Sequence, residues 1–188
     1  MPAHTGRLLL TPHDPLQLAD TKALQQALRE AQFIGEPLPG GNLAFLAGEQ
    51  FLSLITFAGC SVQIELLPPS DGRGFCHVRF IGPFEHPTLI HGHNTRPPRC
   101  PVCRAQQRDW KTLLPALQEM ETEKLPCSTC AAKHPARKWD WKGNAGFGRT
   151  FISVEEIFPG EATPAPALSA VLKQASGNRW RHFYVQDD

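Results

Sequence analysis

Two closely spaced cysteine pairs constrain the fold of this chain more than any other feature of its sequence. The pairs are Cys100-Pro-Val-Cys103 and Cys127-Ser-Thr-Cys130, and each has the C-x-x-C spacing that lets two thiolates converge on one ion. Together they supply four sulfur ligands, the complete tetrahedral shell of a closed zinc site. Because a closed shell leaves no position for water or substrate, the sequence predicts a structural Zn²⁺ ion held by Cys100, Cys103, Cys127 and Cys130.

The two pairs resemble the knuckles of a zinc ribbon. The first pair, with its proline, is similar to the usual C-P-x-C-G form, and the second is similar to the partner knuckle, so the resemblance covers residues 100–130. It implies a small structural module of the kind that contacts nucleic acid or protein, or that acts as a clamp inside an enzyme. The chain differs from the family pattern in that Arg104 and Ala131 stand where the knuckles usually carry glycine.

Other chemistry is compatible with some of these cysteines. Cys-Pro-x-Cys also occurs in thioredoxin-like active sites, but there it follows a strand, whereas here Arg-Pro-Pro-Arg precedes it. An iron–sulfur cluster would also fit four cysteines, although the nearby sequence has no other electron-transfer feature. We therefore favour zinc over both alternatives.

Histidines near the pairs and two further cysteines have simpler interpretations. His91, His93 and His134 could add to or replace a metal ligand, but no carboxylate partner is evident to orient them, and exposed loop histidines are the favoured interpretation. Cys60 and Cys76 share the alternation of neighbouring apolar residues, so we expect both to be buried in the core.

Length and composition indicate a globular protein. The chain has 188 residues, which suits one domain or one domain carrying a small module. No apolar run reaches the roughly 20 residues that a transmembrane helix needs, and the N-terminus lacks the pattern of a secretory signal. We expect a cytoplasmic protein without a membrane span, in a reducing compartment where paired cysteines indicate metal ligands before disulfides.

Hydrophobic patterning predicts an α+β fold, a mainly antiparallel sheet with helices on one face and an inserted zinc-ribbon-like module. One helix is predicted near 20–33, with Asp20 as its N-cap and Gly35 just beyond its end. The second is predicted near 164–176, with Thr163 as its cap and Gly177 at its end. We assign residues 1–92 and 149–188 to an α+β domain and residues 93–148 to a zinc-binding module.

Strands are predicted at 7–11, 51–57, 62–66, 76–80, 88–91, 150–158 and 180–185. Alternation in 62–66 and 76–80, on either side of a Pro- and Gly-rich turn, predicts a hairpin. Between the cysteine pairs, Leu113, Leu114, Leu117 and Met120 indicate a short helix capped by Thr112.

Positive charge is concentrated around the cysteines. Residues 96–150 contain eleven Lys/Arg and five Asp/Glu, a net +6 that becomes about +4 if four thiolates bind one Zn²⁺. Cations alternate there with Trp139 and Trp141, a pattern typical of nucleic-acid binding, although the tryptophans could equally form the core of the module. The candidate partner-binding residues are Arg99, Arg104, Arg108, Lys133, Arg137, Lys138, Trp139, Trp141 and Lys142.

These observations favour a non-catalytic zinc-binding protein whose basic module binds a macromolecule. Nucleic acid is the first candidate partner and an acidic protein surface the second. No nucleophile elbow, P-loop, metalloprotease motif or spaced carboxylate pair is present in the sequence. The alternative is an enzyme with its pocket in the α+β domain and zinc only as a structural staple.

Overall fold

A six-stranded antiparallel sheet forms the main body of the protein. The computed structural model describes residues 6–40, 43–59, 64–70, 72, 74–114 and 124–187. Neighbouring strands of the large sheet follow the order β12 (Trp180–Gln186), β1 (Gly6–Pro12), β10 (Phe151–Glu155), β5 (His77–Ile81), β3 (Ala44–Ala47) and β2 (Ile34–Pro37). The fold is α+β, as the sequence predicts.

Three small antiparallel pairs surround the large sheet. They are formed by β4 (Ile55–Phe57) with β11 (Ala162–Pro164), β6 (Thr88–His91) with β9 (Ala145–Gly148), and β7 (Lys124–Pro126) with β8 (Lys133–Pro135). The helices are α1 (Thr21–Glu30), α2 (Phe51–Leu54) and α3 (Pro166–Ser176), with 3₁₀ turns at Arg108–Leu113 and Ala136–Lys138. Within the described residues, no helix is both long and apolar enough to cross a membrane.

The helices cover one face of the large sheet. In β1, which pairs with β12 and β10, Leu8 and Leu10 form one buried cluster with Leu24 and Leu28 of α1 and the buried leucines of α3. Alternation places the even-numbered residues of β1, β5 and β10 on this face, because successive side chains of a strand point to opposite sides. This cluster is the main hydrophobic core.

The β6–β9 pair covers part of the opposite face. There Leu9, Phe151, Phe183 and Val185 form a second buried cluster, against which Ile90 of β6 packs. Gly146 of β9 lies so close to the sheet that a Cβ atom on it would be 2.7 Å from Cε1 of Phe183. Glycine at this position therefore allows the β6–β9 pair to contact the sheet directly.

The first helix begins as predicted, but it ends differently. The carboxylate of Asp20 accepts hydrogen bonds from the backbone N–H groups of Lys22 and Ala23, which fixes the start of α1. The predicted role of Gly35 at the helix end is wrong, because α1 ends at Glu30, the left-handed residue is Gln32 with φ 54°, and Gly35 lies in β2.

The last helix begins later than predicted. Thr163 is not its cap, because Ala162–Pro164 pairs with β4, and the helix instead starts at Pro166 after Ala165. Gly177 ends it in a left-handed conformation with φ 71°, as predicted.

Two predicted strands also differ. The segment 51–57 divides into a short helix, α2, and the strand β4, because the backbone changes to extended at Ile55. The predicted hairpin between 62–66 and 76–80 is not observed in the described residues. In its first arm, residues 64–66 have no strand conformation, and β5, in the second arm, pairs instead with β10 and β3. The Cys76 N–H donates a backbone hydrogen bond to the Glu65 carbonyl at 2.7 Å, which links the two segments.

The remaining predicted elements have mixed outcomes. The strands predicted at 7–11, 88–91 and 180–185 are present as β1, β6 and β12, and the one predicted at 150–158 is the shorter β10. Thr112 lies within the 3₁₀ turn Arg108–Leu113, while the helix expected to follow it, like Cys60, lies outside the described residues. The predicted domain boundaries at residues 92 and 149 stay a prediction.

Candidate metal centre

The two cysteine pairs form two loops of the same construction. In the first, the Val102 N–H donates to the Cys100 sulfur at 3.4 Å and the Arg104 N–H donates to the Cys100 carbonyl at 3.1 Å. In the second, the Thr129 N–H donates to the Cys127 sulfur at 3.4 Å and the Ala131 N–H to the Cys127 carbonyl at 2.9 Å. Both loops thus direct a thiolate and its stabilising amide to one point, as zinc knuckles do.

Backbone conformation explains the two positions where the sequence departs from the zinc-ribbon pattern. Arg104 has φ 63° and Ala131 has φ 56°, so each follows its second cysteine in the left-handed conformation. Glycine adopts this conformation without the steric cost that a Cβ atom imposes. Arg104 and Ala131 therefore adopt the left-handed conformation that the knuckle loop requires, although neither is the glycine that favours it.

Short antiparallel segments flank each knuckle. Arg99 and Gln106 form an isolated bridge across the first knuckle, and β7 and β8 pair across the second, with Leu125 opposite His134. A further bridge from Arg99 to Asp140 attaches the first knuckle to the segment that follows the second. The knuckles are therefore held by backbone pairing as well as by their own loops.

The four sulfur atoms lie at the spacing of a tetrahedral metal site. Cys100 Sγ is 3.8 Å from Cys130 Sγ, Cys103 Sγ is 3.6 Å from Cys127 Sγ, and all four sulfurs lie within 4.8 Å of one another. With Zn–S bonds of about 2.3 Å, neighbouring sulfurs of a regular tetrahedron are about 3.8 Å apart. A disulfide would bring two sulfurs to about 2.05 Å, so the observed spacing is that of four free thiol groups close enough together to hold one metal ion.

Proton affinity is unequal among the thiols. Hydrogen bonds from the backbone N–H groups of Cys130 and Thr129 lower the pKa of Cys127 to about 6. The Ala105 N–H acts to lower the pKa of Cys103, but desolvation and the neighbouring thiols outweigh it and raise that pKa to about 12. A cation that binds all four sulfurs would have to displace protons, which couples metal binding to pH.

A separate hydrophobic cluster lies behind the sulfurs. Cys100 and Cys127 are buried in it, whereas Cys103 and Cys130 are exposed. The Trp110 ring contacts the Trp141 ring edge-on at 5.5 Å between centroids, and Trp141 contacts Phe147 of β9 in the same way at 6.0 Å. Aromatic packing therefore connects the knuckles to the β6–β9 pair and, through it, to the large sheet.

Both predicted partner-binding tryptophans are buried. Trp139 is 4% exposed and Trp141 is 6% exposed. Their indole N–H groups donate to backbone carbonyls, Trp139 to His134 at 3.3 Å and Trp141 to Ala136 at 3.0 Å. In this conformation neither ring can stack on a base, and the interpretation that the tryptophans form the module's own core is the one that the burial supports.

An ion network joins the first knuckle to the tryptophan segment. The Asp140 carboxylate is 2.7 Å from the Arg104 guanidinium and 2.9 Å from the Lys142 ammonium. Desolvation acts to raise the pKa of Asp140, but the hydrogen bonds from Lys142 and Arg104 outweigh it and lower that pKa to about 2. Sequence reasoning missed Asp140, because an isolated acidic residue among cations carries no periodic or motif signal.

The predicted cations differ in exposure. Arg104, Arg108, Lys133, Lys138 and Lys142 are exposed, while Arg99 and Arg137 are half-buried. Arg104 and Lys142 already form ion pairs with Asp140. The other exposed cations, Arg108, Lys133 and Lys138, are therefore the stronger candidates for contact with an anionic partner. The structure brings Arg99, Arg104 and Lys142 together around Asp140.

The three histidines near the cysteines are not part of the four-sulfur group. In the described parts of the chain, the only group of at least three His, Cys, Asp or Glu residues able to hold a metal is the four cysteines. His91 packs edge-on against Trp110 at 5.7 Å, and burial followed by the charge of Lys111 lowers its pKa. His134 lies in β8 opposite Leu125.

The other cysteine that the structure describes is a core residue. Cys76 is fully buried in the helix-side cluster, and burial, reinforced by nearby glutamates, raises the pKa of its thiol to about 12. A thiol held in its neutral form suits a packing role, as the sequence predicts.

Comparison of the chain with family models, curated proteins and solved structures gave no match.

Proposed function

We propose that this is a zinc-binding protein in which one Zn²⁺ ion, held by Cys100, Cys103, Cys127 and Cys130, has a structural role. The observation that carries the proposal is the spacing of the four sulfurs, 3.6 Å between Cys103 and Cys127 and 3.8 Å between Cys100 and Cys130, close to the edge length of a ZnS₄ tetrahedron. Four thiolates fill the coordination shell of zinc, so the ion has no open position for catalysis. Soft sulfur ligands also disfavour Mg²⁺ and Ca²⁺, which prefer oxygen.

The structural role follows from what the four sulfurs would join. The two knuckles are 27 residues apart in sequence, from Cys100 to Cys127, and the tryptophan cluster lies between and behind them. A small module of this kind has too little core to be stable without a staple. Zinc binding would therefore contribute directly to the free energy of folding of the module.

We further propose that the module binds nucleic acid through its exposed cations. Support comes from the net charge of residues 96–150, about +4 with zinc bound, and from the exposure of Arg108, Lys133 and Lys138. With both tryptophans buried, contact would be made to phosphates rather than to bases, and sequence-independent binding is expected. The chain would act without catalysing a reaction, by holding a nucleic acid against the module.

Salt-dependent binding tests the nucleic-acid proposal. The affinity of the zinc-loaded protein for single-stranded and duplex oligonucleotides should fall steeply as salt concentration rises, because phosphate contacts release counterions. Replacing Lys133 and Lys138 by Glu should weaken binding and flatten this dependence. In the matched control, Lys22 and Lys173, which are exposed lysines on α1 and α3, are replaced by Glu. This control should leave the affinity for the oligonucleotides nearly unchanged.

Two outcomes would contradict this second proposal. Binding that is absent, or that does not depend on salt, would remove nucleic acid as the partner and leave an acidic protein surface as the next candidate. Equal loss of affinity in both pairs of variants would place the contact outside the module. Neither outcome bears on the zinc site, which is tested by its metal content.

A further inference from the structure

A pocket of about 440 Å³ lies at β3 and β5, on residues that include none of the four cysteines. Ala44, His77 and Arg79 line it, and they alternate with Phe45, Val78 and Phe80, which belong to the helix-side core. Strand alternation therefore places the pocket on the sheet face opposite the helices. The volume falls within the range of roughly 300–1,000 Å³ that is usual for small-molecule sites.

The walls of this pocket are mostly apolar, and one of them is flat. Leu38, Pro39 and Ala44 contribute one side. Phe75 stacks on the His77 ring, with ring centroids 4.8 Å apart and an angle of 29° between the planes. The His77 Nδ1 atom is 3.0 Å from the Phe75 carbonyl oxygen, which can only accept, so an Nδ1–H donates this hydrogen bond and helps to fix the ring beside Phe75.

Arg79 is the one cation among the described residues that line the pocket. It is half-buried, and the described chain provides no hydrogen bond or salt bridge to its guanidinium. Its cross-strand neighbour Ser153 donates its hydroxyl hydrogen to Glu155 at 2.8 Å, so that serine and the nearby carboxylate are engaged with each other. A half-buried guanidinium that pairs with no carboxylate of the described chain can bind the carboxylate of a ligand in a bidentate manner, with two parallel charge-assisted hydrogen bonds.

We propose that this pocket binds a small molecule that combines a carboxylate with a flat apolar body. Arg79 binds the carboxylate, Leu38 and Pro39 contact the apolar body, and the Phe75–His77 stack provides the flat surface beside it. The site is independent of the zinc-binding function proposed above, because no cysteine lines it. Its failure would leave the metal centre unaffected.

Benzoate is a suitable probe for this site, with benzamide as an uncharged molecule of the same shape. Titration of the full-length ¹⁵N-labelled protein should shift the backbone amide signals of the two wall segments, at Leu38 and Ala44 and at residues 75–79, in a saturable manner. Arg79→Gln should weaken benzoate binding by about tenfold or more, the effect expected for losing a charge-assisted bidentate contact. Arg108→Gln, at an exposed arginine outside the pocket, should leave the affinity unchanged.

A second variant keeps the test decisive if Arg79→Gln does not fold. Ala44→Leu retains Arg79 but fills the pocket, so it should abolish the benzoate shifts at residues 75–79. The proposal is overturned if benzamide binds the protein as tightly as benzoate does. It is equally overturned if benzoate shifts are absent, fall outside these two segments, or persist unchanged in either pocket variant.

Discussion

Substitution of Gly146 by alanine tests the close packing of β9 on the large sheet. A Cβ atom at this position would be 2.7, 2.9 and 3.1 Å from three atoms of the Phe183 ring, against 3.4–4 Å for ordinary contact. The ring would have to retreat by at least about 0.7 Å. Phe183 is 1% exposed and packs edge-on against Phe151, so it has little space in which to move.

The expected cost follows from these distances. Overpacking of a buried site costs about 1–3 kcal/mol, and alanine recovers part of this, about 0.4–1 kcal/mol, by restricting the unfolded chain. We expect the free energy of unfolding to fall by about 1–2 kcal/mol. For a chain of this size, each kcal/mol lowers Tm by about 2–4 °C, so Tm should fall by about 2–8 °C.

Thermal and urea unfolding of a double-mutant cycle measures this contact. Phe183→Leu removes ring atoms next to Gly146 and creates space for a methyl group, so Gly146→Ala should cost at most half as much in that background as in the wild type. An unchanged Tm for Gly146→Ala would refute the close approach. An equal cost in both backgrounds would show that the strain does not arise from the Phe183 ring.

Three further substitutions test the metal module and the turn that follows β10. Ala131→Gly should raise the free energy of unfolding by up to about 1 kcal/mol, because glycine adopts the left-handed conformation of this residue without steric cost. The control Ala132→Gly, at a neighbouring residue without positive φ, should lower the free energy of unfolding. The opposite order of the two variants would contradict the knuckle geometry. Asp140→Asn should lower the free energy of unfolding by about 1 kcal/mol at pH 7 by removing two partly exposed ion pairs. The pKa of Asp140 in the folded protein, about 2, lies below its value in the unfolded chain. The stability difference between wild type and Asp140→Asn should therefore persist above about pH 4 and shrink as the pH falls toward 2. Chemical unfolding at a series of pH values measures this difference. Desolvation, followed by the charge of Glu155, raises the pKa of Glu156, so the ionised form of Glu156 opposes folding. Glu156→Gln should therefore raise Tm at pH 7 but not at pH 4. A lower Tm for this variant at pH 7 would contradict the prediction.

Local signals in the sequence were sufficient for several features of the fold. The Asp20 cap, the terminal Gly177 and the four-cysteine set each depend on residues close together in the chain or on a fixed spacing, and the structure contains all three. Alternation in 76–80 also identified β5 and the face that its side chains occupy. Such patterns are determined by the backbone period, which the sequence carries directly.

Strand partners could not be read from the same patterns. β5 alternates as a half-buried strand should, but its partner β10 lies far along the chain, and α2 and β4 separate it in sequence from its other partner, β3. Pairing between distant strands depends on the packing of the whole sheet, which alternation does not encode. The predicted start of α3 at Pro164 was wrong for a related reason, because Pro166 suits the first turn equally well and the pairing of Ala162–Pro164 with β4 decides between them.

The tryptophans illustrate the same limit at the candidate site. Alternation of Trp139 and Trp141 with cations is compatible with exposed stacking platforms and with a buried core. Burial depends on contacts with Trp110 and Phe147, which come from separate segments. Charge and spacing alone therefore left both interpretations open, and tertiary packing distinguishes them.

The metal content of the purified protein tests the central claim most directly. Elemental analysis together with native mass spectrometry should show one zinc ion per chain, lost when Cys100 and Cys130 are both replaced by serine but retained when the buried Cys76 is replaced by alanine. Removal of the metal by a chelator should also abolish the near-ultraviolet dichroism of the packed tryptophans. A metal-free protein with this dichroism intact would contradict the account.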